Sequence, residues 1–156
     1  MKVKRAARIR VVQARRACRV GSTAVHFELP AGDSNRMTAF YEKSFGWQMQ
    51  KMGEEMGNYV VVTTTRVDET GRPVTPGAIN GGIFPVTTGM PPQHPSLVIA
   101  VDDIYLSAKQ VAGNGGQLLG EPVNIPGVGM YVSFIDTEGN RLSILQPTMV
   151  SPGIAL

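Results

Sequence analysis

The sequence predicts an α+β fold: two tandem βαβββ modules, about residues 23–86 and 94–147, forming a cupped, partly open mixed sheet with the helices outside. Three observations carry this reading. Residues 25–49 lie on residues 95–119 without a gap at an offset of 70, pairing Leu29 with Ile99, Asp33 with Asp103 and Gly46 with Gly116. After each of these stretches the apolar spacing changes from the helical period of 3.6 to the strand period of 2. Two nine-residue segments running from Gly to Pro, 77–85 and 139–147, also match, now at an offset of 62. The second module therefore has shorter loops, and the polar Gly/Pro-containing stretch 68–76 holds most of the excess.

In the first module, residues 25–29 alternate. Phe27 and Leu29 share one face of a strand, and His26 and Glu28 share the other. Asp33 or Ser34 is placed to cap a helix whose stripe is Met37, Phe40, Tyr41, Ser44 and Phe45, and Gly46 supplies its left-handed end. The stripe, with Trp47 at the helix exit, is read as packing on the sheet. Strands are predicted over 47–52, 59–65 and 79–84.

The second module repeats the order. Leu97, Ile99 and Val101 face the helix, Asp103 caps it, and Ile104, Ala108, Val111 and Ala112 form its buried stripe before the stop at Asn114-Gly115-Gly116. Strands follow over about 117–119, 130–135 and 141–146. The last two read as a hairpin around the turn-forming residues 136–140. Gly127-Val128-Gly129 is followed by no helix and so is not a phosphate loop. It is read instead as a loop at the mouth of the cup.

Composition bounds the function. With 42% hydrophobic and 17% charged residues among 156, the chain has enough apolar material for one globular domain. Its formal charge of +3 misleads, because eight Lys and Arg and no acid lie in the first 20 residues. The remainder has seven basic residues against twelve acidic ones. A basic face for nucleic acid is absent from the body of the protein. Residues 1–22 lack the apolar core of a secretory signal and read as a disordered basic extension outside the fold, with the domain over 23–148 and a short tail over 149–156. No run approaches the roughly 20 apolar residues of a membrane-spanning helix. Cys18 is the sole cysteine, so an intrachain disulfide and a cysteine zinc site are excluded, and a reducing cytoplasm is the expected location.

Residues 26–29 through Asp33, Ala39-Phe40-Tyr41 to Phe45-Gly46-Trp47, Val101-Asp102-Asp103 with Gly115-Gly116, and 125–129 through 136–140 together resemble the glyoxalase, bleomycin-resistance and extradiol-dioxygenase group, the vicinal oxygen chelate superfamily. The resemblance covers about residues 23–147. It implies a small-molecule site between the modules and, in metal-dependent members, one divalent ion held by His and Glu from the first and last strands of each module. Carried over, those positions are His26, Gly81, Ser96 and Ser143. Only His26 is a ligand type, so the resemblance here implies a subfamily without the usual metal ligands and no expected cofactor. A substitute set of His26, Glu28 and His94 is the remaining route to a divalent metal.

Three readings follow from the resemblance. The first is a bleomycin-resistance-like protein that binds a small organic molecule without the metal. The second is a metal-dependent lyase, isomerase, epimerase or dioxygenase with an altered ligand set. The third is a non-catalytic interaction module. The candidate ligand-binding residues are His26, Glu28, Gly81, Ser96, Val98, Met130, Tyr131 and Ser143, with Ala100 and Ile83 near the same wall. His26 and Glu28 are also candidates for acid–base work, or else a buried imidazole bonded to Glu28 or to a neighbouring strand. Relatives of this fold often pair and the edge strands of the two half-sheets need covering, so the resemblance implies a homodimer.

Overall fold

The computed structural model describes residues 21–90 and 93–148. The basic segment 1–20 with Cys18, the prolines at 91–92 and the tail 149–156 lie outside the described residues. Two helices and nine strands run in the order β1 (Thr23–Ala31), α1 (Ser34–Phe45), β2 (Gln48–Lys51), β3 (Val60–Thr63), β4 (Asn80–Pro85), β5 (Ser96–Ala100), α2 (Ile104–Gly113), β6 (Gln117–Leu118), β7 (Val123–Ile125), β8 (Gly129–Ile135) and β9 (Arg141–Pro147). A single helical turn at Glu54–Met56 sits between β2 and β3. The βαβββ order appears twice, with β7 as an added strand that the sequence pattern did not show.

All nine strands form one sheet, ordered β2-β3-β4-β1-β5-β9-β8-β6, with β7 paired to β8. The modules join where β1 runs antiparallel to β5, and each first strand also pairs in parallel with its module's last strand, β1 with β4 and β5 with β9. That pairing places the first and last strands of both modules side by side at the centre. The sheet is mixed and not closed.

The predicted caps are present. Asp33 accepts a hydrogen bond from the Arg36 amide at 2.9 Å, and Asp103 accepts one from the Leu106 amide at 2.9 Å. Gly46 ends α1 with φ 69°. Asn114 ends α2 with φ −104°, so the left-handed residue there is Gly115 instead, at φ 91°.

Two apolar clusters lie between helices and sheet. One joins Val101, Ile104, Ala108, Val132, Phe134 and Ile144, with Ile99 and Val111 against it, and the other joins Ala31, Val60, Val62 and Ile83, with Phe27, Leu29, Met37 and Trp47 against it. The α2 stripe therefore holds at Ile104, Ala108 and Val111, while Ala112 is exposed. Leu97, expected beside Ile99, is 40% exposed.

The α1 stripe holds only in part, at Met37 and at Tyr41, which is half-buried against Trp47. Phe40 and Phe45 are 56% and 61% exposed, Ser44 is exposed, and Thr38 is the one buried residue of the helix. Met37 packs against the first-module cluster with Trp47, and the aromatic residues of the helix stack on one another and on Trp47 at the helix exit. The Tyr41 and Trp47 rings lie parallel at 4.8 Å, and Phe40 meets Phe45 edge to face at 6.2 Å.

Candidate functional site

The face of the sheet away from the helices encloses a cavity of about 310 Å³, at the lower end of the roughly 300–1,000 Å³ usual for small-molecule sites. Period-2 alternation decides what enters it. On β1, His26 and Glu28 face the cavity, and Phe27 and Leu29 face α1. In register, His26 lies between Asn80 and Val98, and Glu28 lies between Gly82 and Ser96. Tyr59 and Val61 enter from the β3 segment, Phe84 from β4, Ser96 and Val98 from β5, Tyr131 from β8, and Arg141 and Leu145 from β9.

Three predicted site residues do not line the cavity, and one of them, Ser143, is 1% exposed and reaches it only through its hydrogen bond with the Tyr131 hydroxyl. Gly81 lies on the helix side, where a Cβ would run into the Phe27 ring, and its neighbour Ile83 is in the α1 core. The cavity-facing glycine is Gly82. Met130 packs against the α2 core, one residue out of phase with Tyr131. Ile83 is thereby removed from the cavity wall, and Ala100 is also absent from it, while Val98 is present. A one-residue displacement in a strand exchanges the two faces, which accounts for the errors at Gly81 and Met130.

The polar groups of the cavity fall into two hydrogen-bonded sets. In the first, His26 Nε2 and the Tyr59 hydroxyl are 2.8 Å apart. A Cβ on Gly82 would overlap that hydroxyl, so glycine there makes room for it. Burial drives the His26 pKa down from 6.5 to about 4, leaving the imidazole neutral. Its Nδ1 is buried and has no hydrogen-bond partner. Burial and the nearby Glu28 charge push the Tyr59 phenol upward.

The second set crosses from one module to the other. Glu28 Oε2 accepts from the Tyr131 hydroxyl at 3.1 Å and from Ser96 at 3.2 Å. Tyr131 and Ser143 hydroxyls are 2.7 Å apart, Ser143 and Ser133 are 3.0 Å apart, and Arg141 Nη2 donates to Ser133 Oγ at 3.3 Å. One consistent arrangement has every donor pointing the same way, from Arg141 through Ser133, Ser143 and Tyr131 to Glu28. Burial raises the Glu28 pKa, and the Tyr131 and Ser96 hydroxyls and the Arg141 charge pull it back. Burial, with the Glu28 charge next, raises that of Tyr131. The cavity thus presents a neutral imidazole, two neutral phenols, one carboxyl group and the Arg141 guanidinium, with His94 at its rim, between walls of Met52, Met56, Val61, Phe84, Ile125, Val128 and Leu145.

Several of these residues escaped the sequence reading. Tyr59 was recoverable, because Val60 and Val62 are the core side of an alternating run and Tyr59 and Val61 must then face the other way. Arg141 alternates with Ser143 in the same manner. Met52 lies just before, and Met56 at the end of, a helical turn that carries no periodic signal. Val128, in the 127–129 loop, lines the cavity.

Of the four carried-over positions, corrected to His26, Gly82, Ser96 and Ser143, only His26 has a ligand atom suited to a divalent ion. Its Nε2 is tied to Tyr59 and its Nδ1 is shielded. His94 stands exposed at the rim, and among the described residues no three His, Cys, Asp or Glu side chains converge on a point able to hold a metal, so the substitute set of His26, Glu28 and His94 is not assembled.

Comparison with known proteins agrees with this architecture. The family model described as Glyoxalase/Bleomycin resistance protein/Dioxygenase superfamily matches residues 23–144. A Mycobacterium tuberculosis protein named as a glyoxylase, CFP32, is 30% identical over 126 residues, covering 80% of this chain and 44% of that protein. The chain thus spans less than half the length of that relative. A glyoxylase-like domain-containing protein of Didymella fabae is 30% identical over 120 residues, covering 75% of this chain and 88% of that one. Among solved structures, a methylmalonyl-CoA epimerase in complex with methylmalonyl-CoA and NH4+ superposes with a TM-score of 0.62 at 13% identity, over 85% of this chain and 99% of that chain, a likeness of fold.

Proposed function

The chain belongs to the Glyoxalase/Bleomycin resistance protein/Dioxygenase superfamily, and from that premise we propose that it binds a small organic molecule in the cavity between its modules without the divalent ion of its metal-dependent relatives. The observation that carries this is the Tyr59 hydroxyl. It fills the space above Gly82, where a ligand side chain of the fourth strand would project, and it engages His26 Nε2 at 2.8 Å. The other two positions, Ser96 and Ser143, serve the Glu28 network instead. A mostly apolar wall with a few converging polar groups is the form of a small-molecule site. The reading is one of binding or sequestration. The two edges of the sheet, β2 on one side and β6 with β7 on the other, support pairing of two copies in solution.

Metal content tests the first half of the proposal. Protein equilibrated with nickel, manganese, iron or zinc and then desalted is expected to retain well under one ion per chain. One tightly held ion per chain, lost on His26→Ala, overturns the reading in favour of a metal-dependent lyase, isomerase, epimerase or dioxygenase. A thermal-shift screen of planar and oxygen-bearing small molecules tests the second half. Stabilisation is expected, and silence across a broad library points to a non-catalytic interaction module.

A further inference from the structure

We infer that the cavity selects an uncharged molecule with a hydroxyl group on an apolar, ring-containing body, the hydroxyl donating to Glu28 Oε1. The inference rests on the reading of the cavity as a small-molecule site and adds the chemical class of its occupant. Glu28 is the one acceptor toward which the polar network runs, and its two oxygens are unequally used. Oε2 takes the Ser96 and Tyr131 hydroxyls at 3.2 and 3.1 Å, whereas Oε1 has only the long 3.4 Å contact with Tyr131. A carboxylate has about four acceptor directions, so Oε1 has capacity for another donor.

Charge narrows the class. Arg141 also lines the cavity, its Nη2 turned to Ser133 at 3.3 Å, so an anionic head group placed at Glu28 Oε1 would meet the carboxylate first, in a partly enclosed, largely apolar cavity where like charges repel more strongly than in water. An ammonium group would be desolvated there, and Glu28 is already compensated by two hydroxyl dipoles and by Arg141 at the far end of the chain. Loss of hydration then outweighs what remains of the attraction. A neutral hydroxyl avoids both costs and still supplies the donor. The body of the ligand meets Met52, Met56, Phe84, Ile125 and Val128. Thioether and aromatic walls of this kind suit a planar ring system.

The test is a matched series at neutral pH: β-naphthol, its methyl ether, β-naphthoate and naphthylmethylammonium, each titrated by calorimetry and by thermal shift against the full chain. β-Naphthol is expected to bind about ten to a hundred times more tightly than the ether, the value of one buried hydrogen bond to a charged acceptor, and more tightly than either ion. In Glu28→Gln the preference for naphthol over the ether should fall to a few-fold at most. The comparison within the unaltered protein stands even where that variant fails to fold. Equal binding of naphthol and ether, or tighter binding of naphthoate or the ammonium compound, overturns the inference and leaves small-molecule binding in place. No binding by any of the four, joined to silence in the broad screen, overturns both.

Discussion

The Tyr59 hydroxyl occupies the space that a side chain on Gly82 would need, and from there it reaches His26 Nε2 at 2.8 Å. Glycine and tyrosine on neighbouring strands thus act as one unit. Gly82→Ala should force the phenol aside and destabilise the protein by about 1–3 kcal/mol, the usual cost of overpacking. In a Tyr59→Ala background the same change should cost much less. Denaturant melts of the two single variants and the double variant measure this coupling, and strict additivity would show that the two residues do not share the space.

His26 carries a pH dependence of definite sign. Its folded pKa lies near 4, against 6.5 for the free side chain, so between those values the unfolded chain takes up a proton that the folded protein resists. Stability from this residue is therefore full above about pH 6.5 and is lost as pH falls toward 4, by roughly 3 kcal/mol for a shift of this size. Melts from pH 7 to 4 should show a shallower acid loss in His26→Gln than in the unaltered protein. Parallel curves would place the acid sensitivity elsewhere.

Tyr131 links the modules through Glu28 and Ser143, and Tyr131→Phe removes both bonds. The loss should be about 1–3 kcal/mol at neutral pH. Because the Tyr131 bond opposes the burial that raises the Glu28 pKa, its removal raises that pKa further. A carboxyl whose folded pKa is raised costs stability as pH climbs through it. The difference between variant and unaltered protein should therefore be larger at neutral pH than in acid, read from paired melts. A difference independent of pH would mean that Tyr131 acts by packing alone.

The aromatic residues of α1 should be less important to stability than their hydrophobicity implies. Phe45→Ala, which gives up ring contacts with Tyr41 and Trp47 at the surface, should cost about 1 kcal/mol. Ile83→Ala, in the fully buried core, should cost about 2–5 kcal/mol. The midpoints of two denaturation curves decide it.

The helix caps and the assignment of His26 and Glu28 to one face were legible in the sequence because each depends on residues within a few positions of one another, and the repeat was legible because the same local pattern recurs 70 residues on. Alternation along β1 needs no knowledge of other strands, and neither does a cap at Asp33 or Asp103. The same local rule served the Ile104, Ala108 and Val111 stripe. It failed on α1 at Phe40, Ser44 and Phe45, which are exposed, because contacts with strands distant in sequence, and not the spacing of the apolar residues, settle which of them are covered.

By itself, then, the sequence determined the two βαβββ modules and the polar character of the first strand, through periodicity and turn chemistry that act locally. Only the tertiary structure decided that Gly82 rather than Gly81 meets the cavity, that Tyr59 stands over it, and that Glu28 is tied through Tyr131, Ser143 and Ser133 to Arg141. Those relations depend on register between strands distant in sequence. A displacement of one residue turns every side chain to the opposite face while leaving the local pattern unchanged.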